Sequence, residues 1–132
     1  MTLSELQKQA YKQAKDKGFH DKDGTPEGPT FGDRIALIHS EASEAIEAFR
    51  QRGLTSWYVS KRDGGGSEEF SIASAQVCAA GVKPEGVPSE LADIVIKVAD
   101  LCATHGINLE RAIEKKLAYN STRSHMHGGK KL

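Results

Sequence analysis

The sequence predicts an all-α protein, a bundle of four to five helices per chain completed by homo-oligomerisation. Three observations carry that expectation. Apolar residues recur at helical spacing between recognisable start and stop signals. One stretch, "SELADIVIKVAD" at 89–100, is apolar around most of its circumference, so it belongs in the middle of a bundle. The core is also thin: 38% of the 132 residues are apolar and 6% aromatic, and association would remove further apolar surface from water.

The length suits a single domain spanning 1–132. Eighteen basic and eighteen acidic side chains cancel, so no global field points to nucleic acid or an acidic membrane surface. No run approaches membrane length, and "MTLSELQKQAYKQAK" has no apolar signal core. Cys78 and Cys102 lack metal-type spacing and read as small buried residues in a reducing compartment. A soluble cytoplasmic protein is expected.

The elements follow in order. Residues 4 to about 17 form a first amphipathic helix ending near Gly18, and "HDKDGTPEGPT" is a loop with two prolines and two glycines. Residues 31–52 have helical periodicity with Gly53 just beyond. The segment 53–87 is a longer connection: "TSWYVS" has strand-like composition, "GGG" at 64–66 is a turn, and "SIASAQVCAA" suits a short helix. "KPEGVP" is a breaker. Ser89 is then the expected N-cap of a helix to about 105, and Asn108 that of a helix through "LERAIEKKLAYN". Residues 124–132, with His125 and His127, read as a mobile tail. Two motifs fail: "DKDGTPEG" puts Phe19 and Thr30 at the ends of a calcium loop, and "GGGSEE" lacks the Lys of a phosphate-binding loop.

Acids on the most apolar helix need explaining, because uncompensated buried charge is expensive. On a wheel at about 100° per residue, the apolar residues of 90–103 cover an arc of roughly 220°. Glu90, Asp93, Lys97 and Asp100 share the rest, and Lys97 can serve one acid. The helix at 31–52 has an apolar stripe of Ile35, Ile38, Ala42, Ala45, Ile46 and Phe49. Glu41 lies beside it, Glu44 on a neighbouring face with Leu37 and Ala48, and Glu47 nearly opposite. Spacing alone permits Glu41/Glu44 or Glu44/Glu47, and the wheel favours the first. Two helices thus each offer acids at i and i+3, which project from one face. Facing one another, such pairs would enclose an oxygen-lined cavity suited to Mg²⁺. A lone Glu-x-x-Glu is ordinarily a solvated face; two pairs, one of them on so apolar a helix, tilt the reading towards metal.

Near the end, Lys116, Asn120 and Arg123 fall within about 60° of one another on the wheel. A Lys, an amide and an Arg converging could hold phosphate oxygens. A basic helix C-terminus set against the dipole would explain the Lys and Arg but not the Asn.

The ordered set "EASE" (41–44), "KPEGVPSELAD" (83–93) and "KLAYNSTR" (116–123), followed by "HGGKK", closely resembles the MazG-like, all-α nucleoside triphosphate pyrophosphohydrolases. The likeness covers roughly 31–52 and 84–131. It implies that Glu41, Glu44, Glu90 and Asp93 coordinate Mg²⁺, that Lys116, Asn120 and Arg123 contact the triphosphate, and that the bundle is a homodimer or homotetramer. One departure is the 45 residues between Glu44 and Glu90, more than the usual family gap. That segment, with Trp57 and Tyr58, is expected to pack a subunit contact rather than form a base pocket.

The leading expectation is therefore an enzyme that cleaves a nucleoside triphosphate to monophosphate and pyrophosphate, Glu41 accepting the proton of the attacking water. A non-catalytic helical module that binds nucleotide or protein is the alternative, as is a related phosphoribosyl-nucleotide pyrophosphohydrolase.

Overall fold

The computed structural model describes residues 1–61, 67–70 and 82–126. The expected turn at 64–66, the short helix at 71–80, Cys78 and the tail from 127 lie outside the described residues. Four helices dominate: α1 (Leu3–Asp16), α2 (Phe31–Arg52), α3 (Val87–Thr104) and α4 (Leu109–Ser121). The chain is mostly helical, with one addition to the all-α expectation. A small antiparallel sheet of β1 (Ser56–Lys61), β2 (Ser67–Phe70) and β3 (Val82–Gly86) runs in the order β2–β1–β3. Of its three strands only β1 had strand-like composition; β3 holds a proline and a glycine, and it is a sheet edge that tolerates them. Among the described residues no helix is long and apolar enough to cross a membrane.

The chain divides into two compact units, residues 1–22 with 98–132, and residues 23–97. In the first, α1 opens with a capping box: Thr2 Oγ1 accepts from the Glu5 amide, and the Glu5 carboxylate accepts from the Thr2 amide. Ala10 of α1 and Ala99, Leu101 and Cys102 of α3 are buried. Gln7 is buried too, and both ends of its amide are engaged: Nε2 donates to the Ile107 carbonyl at 2.8 Å, and Oε1 accepts from the Leu109 amide at 3.1 Å. One side chain thereby ties α1 to the turn between α3 and α4. Asn108 caps α4 as expected, its side chain accepting from the Arg111 amide at 3.0 Å.

In the second unit α2 begins with another capping box, Thr30 with Asp33, and ends at Gly53, whose φ of +64° suits glycine. β1 pairs with β3 in a register that sets Val59 opposite Lys83 and Trp57 opposite Glu85. Trp57 is buried, with the Arg52 guanidinium 4.4 Å from its ring centre. β3 passes into α3 with no intervening loop. The join is Gly86, at φ +106°, where a Cβ would lie 2.5 Å from the Thr55 carbonyl oxygen and 3.1 Å from the Trp57 ring.

That join corrects the expected start of α3. The helix begins at Val87, so Ser89 sits inside the first turn instead of capping it, and its hydroxyl donates to the Pro84 carbonyl at 3.1 Å. Pro88 falls in the first turn, where a missing N–H costs nothing.

The apolar stripes also differ from expectation. On α2 the buried residue is Ala48, whereas Ile46 and Phe49 of the stripe are more than half exposed, as is Leu37. On α3, Leu91, Val95 and Ile96 are exposed, and the burial expected all along the helix is concentrated at Ala99, Leu101 and Cys102. A single chain does not cover these surfaces.

Candidate carboxylate site

α2 and α3 bring their acids together within the second unit. Glu41, Glu90 and Asp93 each offer a carboxylate oxygen, and the three atoms lie within 4.8 Å of one another. Helical spacing explains the arrangement. Glu41 and Glu44 leave α2 one turn apart, Glu90 and Asp93 leave the first turns of α3, and the β3–α3 join fixes where those turns begin. Lys97, one turn beyond Asp93, reaches across to Glu41 with its Nζ 3.4 Å from the carboxylate. The wheel let Lys97 serve an acid of its own helix strip; its ion pair is instead with Glu41 of α2, while its charge also favours the ionised form of Asp93.

The cluster forms one wall of an open groove of about 320 Å³. α2 also contributes Glu44, Glu47, Ala48 and Gln51; β3 contributes Lys83, Pro84, Glu85 and Gly86; Trp57 and Ser89 complete the lining. The groove-facing side of α2 is thus centred on Glu44. Glu47, expected nearly opposite the site, stands on the flank of that same side, where its carboxylate lies 3.7 Å from Arg50. The expectation erred because it took the apolar stripe to be the inward face, whereas α2 lies against β3 and the groove with the side that carries Ala48. Trp57 of β1 lines the groove beside the acids.

Crowding perturbs all four acids. Burial, a hydrogen bond with Glu41, and repulsion from Glu44, Glu41 and Asp93 push Glu90 up to about 7. Burial and the charge of Glu41 raise Asp93, against the pull of Lys97 and Lys83. Glu44, at the exposed rim, is raised by its hydrogen bond with Glu41 and then by Glu41's charge. Glu41 moves the other way: burial opposes its ionisation, but hydrogen bonds from Glu44 and Glu90 and the nearby Lys97 hold it below the usual carboxylate range. The cluster therefore favours ionisation of Glu41 and disfavours that of Glu44, Glu90 and Asp93. A divalent cation would remove that conflict, and the all-oxygen donor set fits Mg²⁺; Mn²⁺ and Ca²⁺ are also oxygen-seeking, so the set does not single out one ion.

The basic stripe lies in the other unit. Lys116 and Arg123 both approach Tyr119, at 5.5 Å and 5.7 Å from its ring centre, and the Asn120 carbonyl accepts from the Arg123 amide. Asp100, the remaining acid of the α3 strip, belongs to that unit as well. Its Oδ1 is 2.8 Å from His20 Nε2, with the Tyr11 ring centre 4.9 Å from that of the imidazole and tilted 36° to it. The His20 partner was not legible, because it lies eighty residues away in the "HDKDGTPEGPT" loop.

Sequence reasoning also missed Lys83 and Glu85. The signal was present in "VKPEG", where charged residues two apart share one face of a strand, but the proline and glycine read as a breaker. No family model matches the chain, and neither a curated protein nor a solved structure matches it.

Proposed function

We propose that the protein is a Mg²⁺-dependent nucleoside triphosphate pyrophosphohydrolase, a reading carried by one observation: carboxylates of Glu41, Glu90 and Asp93, from two helices far apart in sequence, converge within 4.8 Å. The order of "EASE", "ELAD" and "KLAYNSTR" supports it. Glu41, Glu90 and Asp93, with Glu44 at the rim, would hold the metal. Mg²⁺, when bound, supplies charge neutralisation at the phosphate oxygens.

The chain's own residues do the rest. Glu41, the member held ionised, accepts the proton of a water that attacks the α-phosphorus. The bond between that phosphorus and the α–β bridging oxygen breaks, and pyrophosphate leaves with the oxygen. By the likeness of "KLAYNSTR" alone, Lys116, Asn120 and Arg123 are the residues that would contact phosphate oxygens. The open groove admits solvent, so no covalent nucleophile is required. The exposed Leu37, Ile46 and Phe49 of α2 and Leu91, Val95 and Ile96 of α3 support a homodimer or homotetramer, in which a second copy covers them.

The test is product analysis. The full chain is incubated with Mg²⁺ and each common ribo- and deoxyribonucleoside triphosphate, and the products are separated chromatographically. Monophosphate and pyrophosphate in equal amounts are expected from at least one nucleotide. A diphosphate product would move the cleavage position. No turnover at all, alongside Mg²⁺-dependent nucleotide binding, would favour the non-catalytic module.

A further inference from the structure

We infer that Lys83, on β3, is a substrate-binding residue that receives phosphate oxygens at the rim of the carboxylate groove; the inference rests on the pyrophosphohydrolase reading above.

The charges of the groove pose the problem. Glu41, Glu44, Glu47, Glu85, Glu90 and Asp93 all line it, and a triphosphate entering from solvent meets that acidic wall. Among the described lining residues Lys83 is the one base. Lys97 is engaged with Glu41, whereas the Lys83 side chain is 74% exposed and its Nζ contacts Glu85 at 3.0 Å. An exposed ion pair contributes little net stability, so the ammonium can exchange a carboxylate partner for a phosphate oxygen at low cost. The hydrogen bond with Glu85, with further help from Glu90 and Glu44 and against partial burial, raises the Lys83 pKa, so it arrives at the substrate as a cation.

Its position is fixed while its tip can exchange partners. β3 is held in register by β1, with Lys83 opposite Val59, and Gly86 locks the strand to the first turn of α3. Lys83 and Glu85, two residues apart, share one strand face, so Glu85 parks the ammonium on the groove side until a stronger anion replaces it. An ammonium can follow a phosphate chain as a point charge without bidentate geometry.

The experiment is calorimetric titration of the full chain with inorganic pyrophosphate at saturating Mg²⁺, together with a Mg²⁺ titration alone and steady-state kinetics. Lys83→Met should weaken pyrophosphate binding about tenfold or more, since it removes a charge-assisted contact. It should leave Mg²⁺ affinity unchanged or tighter, raise KM more than it lowers kcat, and be largely rescued by Lys83→Arg. Glu85→Gln should bind pyrophosphate as well as wild type or better. If Lys83→Met binds pyrophosphate like wild type while wild type still releases pyrophosphate from a nucleotide, Lys83 is excluded and the function stands. Equal losses in Lys83→Met and Glu85→Gln would assign Lys83 to holding the strand and overturn the inference. A wild type that neither binds pyrophosphate with Mg²⁺ nor cleaves any common nucleoside triphosphate removes both readings.

Discussion

The two units treat their polar side chains in opposite ways. In the unit of α1, α4 and the end of α3, internal polar groups are matched by the chain itself: Gln7 satisfies both ends of its amide, and Asp100 faces His20. In the groove of the other unit, acids outnumber the cations that face them, and this crowding opposes ionisation of Glu90 and Glu44. A polar network completed within the chain stabilises a fold. A network left short of positive charge raises the energy of its ionised state and so favours an added cation.

The contrast is sharpest in activity. Replacing the ionised member, Glu41→Gln, should lower kcat for pyrophosphate release by about a hundredfold or more, the scale of a lost general base, with helix content unchanged. Circular dichroism and a product assay check both halves. Activity within threefold of wild type would remove Glu41 from its role.

Stability should separate the units next. Gln7→Ala strands the Ile107 carbonyl and the Leu109 amide and should destabilise the fold by about 1–3 kcal/mol for each group left without a partner. The melting temperature should fall by several degrees while its increase on adding Mg²⁺ persists. A Gln7→Ala protein that no longer responds to Mg²⁺ would show that the two networks are not independent.

A pH titration tests the acids directly. Glu90 in the folded chain holds its proton to about 7, above the ordinary 4.5, so between those values the folded state binds more protons than the unfolded one. Glu44 and Asp93 shift in the same direction and Glu41 in the other. Without Mg²⁺ the contribution of Glu90 to stability is therefore present at acid pH and lost as pH rises through about 7. The wild-type minus Glu90→Gln difference in melting temperature should shrink or reverse over that window, and saturating Mg²⁺, which favours the ionised form, should oppose the trend. A difference that grows with pH in the absence of metal would contradict the crowding.

The smallest effect belongs to Glu47→Gln. Glu47 flanks the groove but stands outside the convergent triad, and its contact with Arg50 is an exposed pair of little net value. Mg²⁺ response and turnover should stay within about twofold of wild type. A loss matching that of Glu41→Gln would move the metal-facing side of α2 towards Glu47.

Legibility followed the range of the interactions. Local signals worked: Asn108 and Gly53 mark helix ends, the bounds of α2 agree with the periodicity, and i,i+3 spacing on two helices picked out acids that do converge. Failures arose where distant residues decide. The β1–β3 ladder turns "VKPEG" into a strand, and that pairing, not Ser89, sets where α3 starts. The direction of α2 was misjudged for the same reason. Its widest apolar stripe includes Ile46 and Phe49, which the single chain leaves exposed, so hydrophobicity alone named a face that intrachain packing does not use.

The seam at Gly86 bears on how the chain could be lengthened. β3 takes its place from hydrogen bonds to β1 and its continuity from the helix that follows, so neither depends on how many residues separate β2 from β3. Lys83, Glu90 and Asp93 therefore keep the same mutual spacing whatever the length of chain between β2 and β3. The long separation between Glu44 and Glu90 is then compatible with an undisturbed carboxylate cluster, because only the strand pairing and the Gly86 join set where the acids of α3 begin.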